Sequence, residues 1–212
     1  NSSFKIEKDF ENKEITFPYP IVKKGKIKNS IEYMKTFDLV FPALHGQFGE
    51  DGEIQHLFEE QNIKYVGCDS YSSHICFDKG LTKKVLEGHN INMAKTISLE
   101  LDVDCSLNNI NLENLKTLNV KIKEILKYPV FVKPARSGSS VGINKVSTYD
   151  ELPRAMRLAF KEDNKILIEE EIIGKEIECA ILEDNGKIIA SRVGEIKPAE
   201  EFYTYDSKYI DK

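Results

Sequence analysis

Apolar positions along the chain follow two rhythms. Helical spacing is carried by Ile54, Leu57 and Phe58, and by Ile75, Leu81, Val85 and Leu86. It recurs in Leu112, Leu115, Leu118, Ile122, Ile125 and Leu126, and in Leu152, Ala155, Met156 and Ala159. Each set places a stripe on one face of a helix at i, i+3, i+4 intervals. Short apolar runs predict strands at 37–41, 63–67, 96–99, 130–132 and 165–169, with an alternating, half-buried strand at 176–182. Asn185-Gly186 then predicts a hairpin turn, with a return strand over 187–192. Ser72 or Ser73 is placed to cap the second helix, and Gly88 to end it. Thr148 and Glu151 have capping-box spacing ahead of the last helix. Residues 1–35 carry broken apolar runs, and Pro18 and Pro20 keep their neighbourhood out of a helix.

The order of these elements divides the chain. Strand, glycine-rich loop and helix over 37–58 read as an α/β unit, which places ligands at the carboxyl ends of its strands. From about residue 93 the order of strands and helices reads as an antiparallel sheet with helices on one side, an α+β arrangement. The 212 residues include 41% hydrophobic ones, enough for a sizeable core. The net charge of −5, with lysines interleaved among acids, gives no nucleic-acid surface. No apolar run approaches membrane-spanning length. Cys68, Cys76, Cys105 and Cys179 are scattered, without metal-ligand spacing, and read as thiols of a reducing cytoplasm. The chain opens at Asn1 rather than Met and closes at Lys212 with no terminal element, so a piece of a longer protein is expected.

Candidate chemistry gathers in 128–143. A short strand ends on Lys133 and leads into Ser137, Gly138, Ser139 and Ser140, with Val141 opening the next apolar run. Small residues let a backbone close over a ligand, and consecutive N–H groups attract anions. The chemistry alone leaves two readings, a phosphate-holding loop or a plain glycine-serine turn. His45 and Glu50 sit on the other glycine-rich loop and read as ligand contacts, against a loop-bonded histidine. Asp51 is read as a helix cap, Lys79 by its position as a solvated helix lysine, His89 as a helix C-terminal residue favoured by the helix dipole, and His56 and His74 as surface residues. Glu169 ends a strand whose continuation through 172 offers backbone groups for an adenine edge and acids for a ribose. A nucleotide between two units, with a small polar substrate beyond it, is the layout of a ligase or kinase.

Five stretches, 44–55, 78–79, 132–142, 168–176 and 202–209, resemble in order and spacing the motifs of D-alanine–D-alanine ligases, members of the ATP-grasp superfamily. The resemblance implies a partial ATP-grasp fold. Residues 1–92 would form a substrate-side α/β domain, 93–200 the central ATP-lid domain, and 201–212 the start of a mobile active-site loop. It implies ATP-dependent joining of two D-alanines for peptidoglycan synthesis in a bacterial cytoplasm. Lys79 and Lys133 would contact ATP phosphates, with Ser139, Ser140 and Val141 in the loop closing over them. Glu169, Glu170 and Ile172 would frame the adenine, and Glu176 would hold the ribose. His45 and Glu50 would lie around the first D-alanine. Ser139, Lys208 and Tyr209 would serve catalysis, Lys208 also touching ATP. A homodimer is implied as well. The family's first strand and glycine-rich loop would precede Asn1. Its acid pair, Asn and Arg, which bind two Mg²⁺ (or Mn²⁺) and stabilise the tetrahedral intermediate, would follow Lys212. The chain alone is therefore expected to be inactive, with no metal ligands of its own. Thr204 stands where the family usually has Asp. D-alanine–D-serine and D-alanine–D-lactate ligases share most of these motifs, and a non-catalytic nucleotide-binding fragment is the other alternative.

Overall fold

The computed structural model describes residues 30–101 and 112–196. Its centre is a four-stranded antiparallel sheet of β1 (Thr96–Glu100), β2 (Val130–Pro134), β3 (Asn144–Val146) and β4 (Lys165–Glu170), in the order β1-β4-β2-β3. Two helices, α5 (Leu112–Ile125) and α6 (Leu152–Glu162), supply the layer that covers it. Side chains alternate across a strand. Val130, Val132, Val146, Ile166 and Ile168 therefore join one cluster with Leu115, Leu118, Ile122, Leu126, Leu152, Ala155, Met156 and Ala159. Burying each such aliphatic side chain contributes roughly 1.5–3 kcal/mol. Ile125, expected in the same stripe, lies at its margin and is 46% exposed. The side chain of Leu112 lies outside the described residues.

The opposite face of the sheet sets charged side chains among apolar ones, and its composition follows from register. Phe131 pairs with Glu169 and Lys133 with Leu167, while Thr96 faces Glu169 from the other side. Lys133 and Glu169 are thus diagonal neighbours on one face, within reach for long side chains.

The first part of the chain holds four short helices, α1 (Ser30–Met34), α2 (Glu53–Glu60), α3 (Ser70–Phe77) and α4 (Lys79–Glu87). Ile54, Phe58 and Ile63 form a second, smaller core, with Leu57, Val40 and Tyr65 against it. The strands expected at 37–41 and 63–67 reduce to one parallel bridge, Val40 to Tyr65. Among the described residues no further strand flanks them, so no ladder extends. Phe37, Leu39 and Phe41 remain 43%, 55% and 74% exposed.

The single helix expected across 72–87 is two. Asp69 caps α3 by accepting the Ser72 N–H at 2.6 Å. Asp78 then breaks the chain (φ −86°, ψ 102°) and caps α4 through the Gly80 and Leu81 N–H groups at 2.8 and 3.0 Å. A short carboxylate that competes for backbone amides ends one helix and starts another. Leu81 and Leu86 are half-buried on α4, and Val85 is exposed. The capping pair before α6 opens a 3₁₀ turn, Tyr149–Glu151. There the Glu151 carboxylate accepts the Ser147 N–H at 2.8 Å and the Thr148 hydroxyl at 3.3 Å.

The strand expected at 176–182 is also two, β5 (Glu176–Glu178) and β6 (Ile181–Asp184). β6 pairs with β7 (Lys187–Ala190) through the predicted turn, whose Asn185 and Gly186 have φ of 50° and 77°. β5 pairs instead with β8 (Gly194–Ile196). Among the described residues no layer covers these ribbons. Ile177, Ile181 and Leu182 are exposed rather than half-buried.

Candidate active site

Four lysines and two acids meet between α4 and the face of the sheet turned away from the core cluster. Asp78, between α3 and α4, and Lys165, on β4, form a buried ion pair at 2.8 and 3.0 Å. Burial pushes the Asp78 carboxyl up, but the Lys165 ammonium and the Leu81 and Gly80 amides outweigh it and hold the group below its ordinary range. The pair fastens the N-terminus of α4 to the central strand. It thereby places Lys79, the first residue of α4, beneath the loop that follows β2. The Lys79 ammonium donates to the carbonyl oxygens of Ser137 at 2.6 Å and Ala135 at 3.2 Å. Burial and the neighbouring Lys133 push its pKa down, against an opposing pull from Glu169.

One turn along α4, Lys83 bonds Glu169 Oε1 at 3.1 Å. Lys133 contacts the other carboxylate oxygen of Glu169. The Glu169 side chain is only 8% exposed. Setting Asp78 against Lys165 leaves Lys79, Lys83 and Lys133 with one acid. The surplus positive charge suits a polyanion.

Beyond Lys133, the loop 135–143 turns on two serines in left-handed backbone, Ser139 at φ 52° and Ser140 at φ 60°. Such conformations cost non-glycine residues about 1 kcal/mol or more each and concentrate at ligand-binding loops. Gly142 (φ 73°) has no room for a Cβ, which would lie 2.8 Å from Pro134 Cγ. Arg136 anchors the loop's root. Its guanidinium grips Asp163 through Nε at 3.2 Å and Nη2 at 2.6 Å, and its own N–H adds a third bond at 2.6 Å. The same guanidinium reaches Asn164.

A cavity of about 550 Å³ opens in front of this loop, lined by Arg136, Ser137, Gly138, Ser139 and Val141 on one side and His45, Gly46, Gln47 and Glu50 on the other. The two glycine-rich loops thus face one space. Glu50 shapes its loop by accepting the Gly46 N–H at 2.6 Å. Asp51 accepts from Phe48 and Glu53 N–H groups at 2.7 and 3.1 Å, although Gly52, not Asp51, is the cap residue of α2.

The remaining sequence candidates lie apart. Glu170 closes the interior strand β4, its carboxylate accepting the Lys95 N–H at 2.7 Å. Ile172 and Glu176 are exposed. Lys208 and Tyr209 lie outside the described residues. Sequence reasoning missed three contributors. Lys83 was accessible to it, since it stands at i+4 from Lys79 on a helix. The Asp78–Lys165 and Arg136–Asp163 pairs join residues 87 and 27 positions apart, and no local pattern announces them. Among the described residues no three His, Cys, Asp or Glu side chains gather where a divalent ion could be held. No helix among them is long and apolar enough to cross a membrane.

An antiparallel sheet backed by helices, with lysines on its open face and a small-residue loop over them, is the ATP-grasp architecture. Comparison with known proteins narrows this. The family model for the D-ala D-ala ligase N-terminus matches residues 5–68, and that for the C-terminus matches residues 103–212. The D-alanine–D-alanine ligase of Caldicellulosiruptor bescii is 43% identical over 192 residues, covering 88% of this chain and 49% of the relative. D-alanine–D-alanine ligase A of Escherichia coli is 41% identical over 179 residues, 84% of this chain and 46% of the relative. Among solved structures, the VanG D-Ala:D-Ser ligase of Enterococcus faecalis superposes with a TM-score of 0.67 at 40% identity, covering 81% of this chain and 47% of that one. D-alanyl-alanine synthetase A of Vibrio cholerae gives 0.69 at 31%, covering 82% and 50%. The chain belongs to the D-alanine–D-alanine ligase family, and it spans about half the length of the curated relatives it matches.

Proposed function

We infer that this chain supplies the ATP- and substrate-facing part of an enzyme that joins two D-alanines, at the expense of ATP, for peptidoglycan synthesis in the cytoplasm. The observation that carries the reading is the shared cavity in which the His45–Glu50 side meets the loop after Lys133. In the reaction, a carboxylate oxygen of the first D-alanine attacks the γ-phosphorus of ATP and ADP departs. The amine of the second D-alanine then attacks the acyl carbon of the acylphosphate. Inorganic phosphate leaves with the C–O bond electrons, and the amine gives up a proton. Such chemistry rests on positioning and on neutralising charge.

Lys79 and Lys133 neutralise the phosphates. Ser139, Ser140 and Val141 close over them with backbone amides, Ser139 next to the transferring phosphoryl group. Glu169, Glu170 and Ile172 border the adenine, and Glu176 the ribose. His45 and Glu50 orient the first D-alanine, and Lys208 and Tyr209 complete the lid. Residues 1–92 serve as the substrate side, 93–200 as the ATP side, and 201–212 as the start of the capping loop. Among the described residues no three His, Cys, Asp or Glu side chains gather in one place, so the Mg²⁺ (or Mn²⁺) proposed as cofactor with ATP would be held by other residues and by the phosphates, and no step is assigned to it. A homodimer is the assembly proposed.

ADP release that requires D-alanine, with D-alanyl-D-alanine identified by mass spectrometry, is the expected result for the whole protein. ATP turnover that D-alanine leaves unchanged would refute it. The likeness to the VanG D-Ala:D-Ser ligase favours one second reading, D-serine as the second substrate. A dominant mixed dipeptide from an equimolar D-alanine and D-serine mixture would replace the first reading with the second.

A further inference from the structure

We propose that Lys83 is a positioning residue for nucleotide binding: it holds the Glu169 carboxylate so that Lys133 can leave it for the phosphates. The inference rests on the ATP reading above and adds a residue which that reading does not use.

Lys133 is engaged by Glu169 rather than directed at the loop it follows. A lysine that turns to phosphate, even where its three donors reach both groups, divides its single positive charge between this partner and the new one. Glu169 is almost completely enclosed, with 8% of its side chain exposed. A carboxylate left there without a cation is strongly disfavoured. Transfer of Lys133 to phosphate therefore requires a second cation already in place on Glu169. Lys83 meets that requirement. Its ammonium is fixed by two acceptors at once, Glu169 Oε1 at 3.1 Å and the Ala94 carbonyl at 3.0 Å. It sits on Glu169 Oε1, whereas the ion pair of Lys133 is made to Oε2. Thr96 does not substitute for it. The Thr96 hydroxyl has two acceptors in reach, the Ala94 carbonyl at 3.0 Å and Glu169 Oε1 at 3.4 Å, and it is neutral, so it brings no positive charge to the carboxylate. The other cations nearby have their own partners, Lys165 on Asp78 and Lys79 on two carbonyl oxygens. The nucleotide thus exchanges one ion pair for another, and Lys83 keeps the exchange from stranding Glu169.

The test measures ATP affinity and steady-state constants in the whole protein carrying Lys83→Met, Lys83→Arg, Glu169→Gln, or Lys83→Met with Glu169→Gln. The expected result is an ATP dissociation constant raised by about tenfold or more in Lys83→Met, the scale of losing one partner of a buried charge pair. The KM for ATP should rise further than kcat falls. Lys83→Arg should restore most of the affinity. In the Glu169→Gln background, Lys83→Met should change affinity by less than about twofold, because no carboxylate remains to be stranded. Wild-type affinity in Lys83→Met overturns the proposal. So does an equal loss in both backgrounds, which is the mark of a merely structural lysine. If Lys83→Met does not fold, Lys83→Gln takes its place. It too removes the charge, and the same two outcomes, wild-type affinity or an equal loss with and without Glu169→Gln, overturn the proposal. Failure of the wild-type protein to bind ATP would instead remove the ATP reading itself.

Discussion

Replacing Gly80 with alanine sets two effects of opposite sign against each other at the root of α4. Alanine is the better helix former, by about 1 kcal/mol in a helix interior and less in a first turn. Gly80 lies in that first turn, two residues after the aspartate whose cap starts the helix. Against this gain stands the buried ion pair. A Cβ on Gly80 would lie 2.9 Å from Lys165 Cε, 3.0 Å from Lys165 Nζ and 3.1 Å from Asp78 Oδ1. The flexible end of a lysine would ordinarily swing aside at little cost. Here it is held by both oxygens of Asp78, at 2.8 and 3.0 Å, with 11% of the Lys165 side chain exposed. Breaking a buried pair on one side costs about 3–5 kcal/mol. A forced lengthening forfeits part of that, on the order of 2–3 kcal/mol, so the pair outweighs the helix term. Net destabilisation of about 1–2 kcal/mol is expected, a fall in Tm of roughly 2–8 °C for a chain of this size. Thermal unfolding followed by far-UV circular dichroism reads it. In a Lys165→Ala background both lysine contacts are gone and only Asp78 Oδ1 remains close, at 3.1 Å, so Gly80→Ala should cost less than in the wild type by a coupling of at least about 1 kcal/mol. An unchanged or raised Tm from Gly80→Ala alone would refute the reasoning, since it would mean that the pair yields freely.

Three further outcomes follow from the same geometry. Arg136→Ala removes both guanidinium bonds from Asp163 but leaves the backbone N–H groups of positions 136 and 165 on it, so a loss of only about 1–2 kcal/mol is expected in urea unfolding. Asp78 has a lowered folded-state pKa, so its stabilisation is complete above the unfolded value and is lost as pH falls through the folded one. The acid limb of stability below about pH 4 should therefore be steeper in the wild type than in Asp78→Asn, which unfolding midpoints between about pH 4 and 2 would check. Lys79, also lowered, has a linkage of the same sign but reads as a penalty, because here the charged form is the disfavoured one. Its lowered pKa is a penalty present at neutral pH and relieved as pH rises through the folded value towards about 10.4. Phosphate beside Lys79 favours the ammonium, so ATP binding at alkaline pH, below the ordinary lysine value of about 10.4, should take up protons, as read by calorimetry in two buffers of different ionisation enthalpy; no uptake beyond that of Lys79→Met would count against the contact.

What the chain made legible was set by sequence distance. The stripe of Leu115, Leu118 and Ile122, the strand expected at 130–132 and the Asn185-Gly186 turn are specified by neighbours within one or two turns, and they form where expected, the strand running on to Pro134. The strands at 37–41 and 176–182 had the right local pattern, but a strand is completed by lateral partners and a covering layer, neither of which local pattern supplies. Site residues divide in the same way. The loops bearing His45, Glu50, Ser139 and Val141 announced themselves through glycine and serine, and they converge on one cavity. Lys79 did not, because a lysine beside an aspartate on a helical stripe is locally ordinary. Its position depends on Asp78 being used twice, once as the cap that starts α4 and once as the partner of Lys165. The cap is a local signal, and the break it makes could have been read at Asp78. The ion pair is not, and together with the bonds from Lys79 to Ala135 and Ser137 it converts a helix start into a lysine fixed beneath the loop after β2. A sequence can therefore name the residues of such a site while leaving unstated the buried charge pair that assembles them.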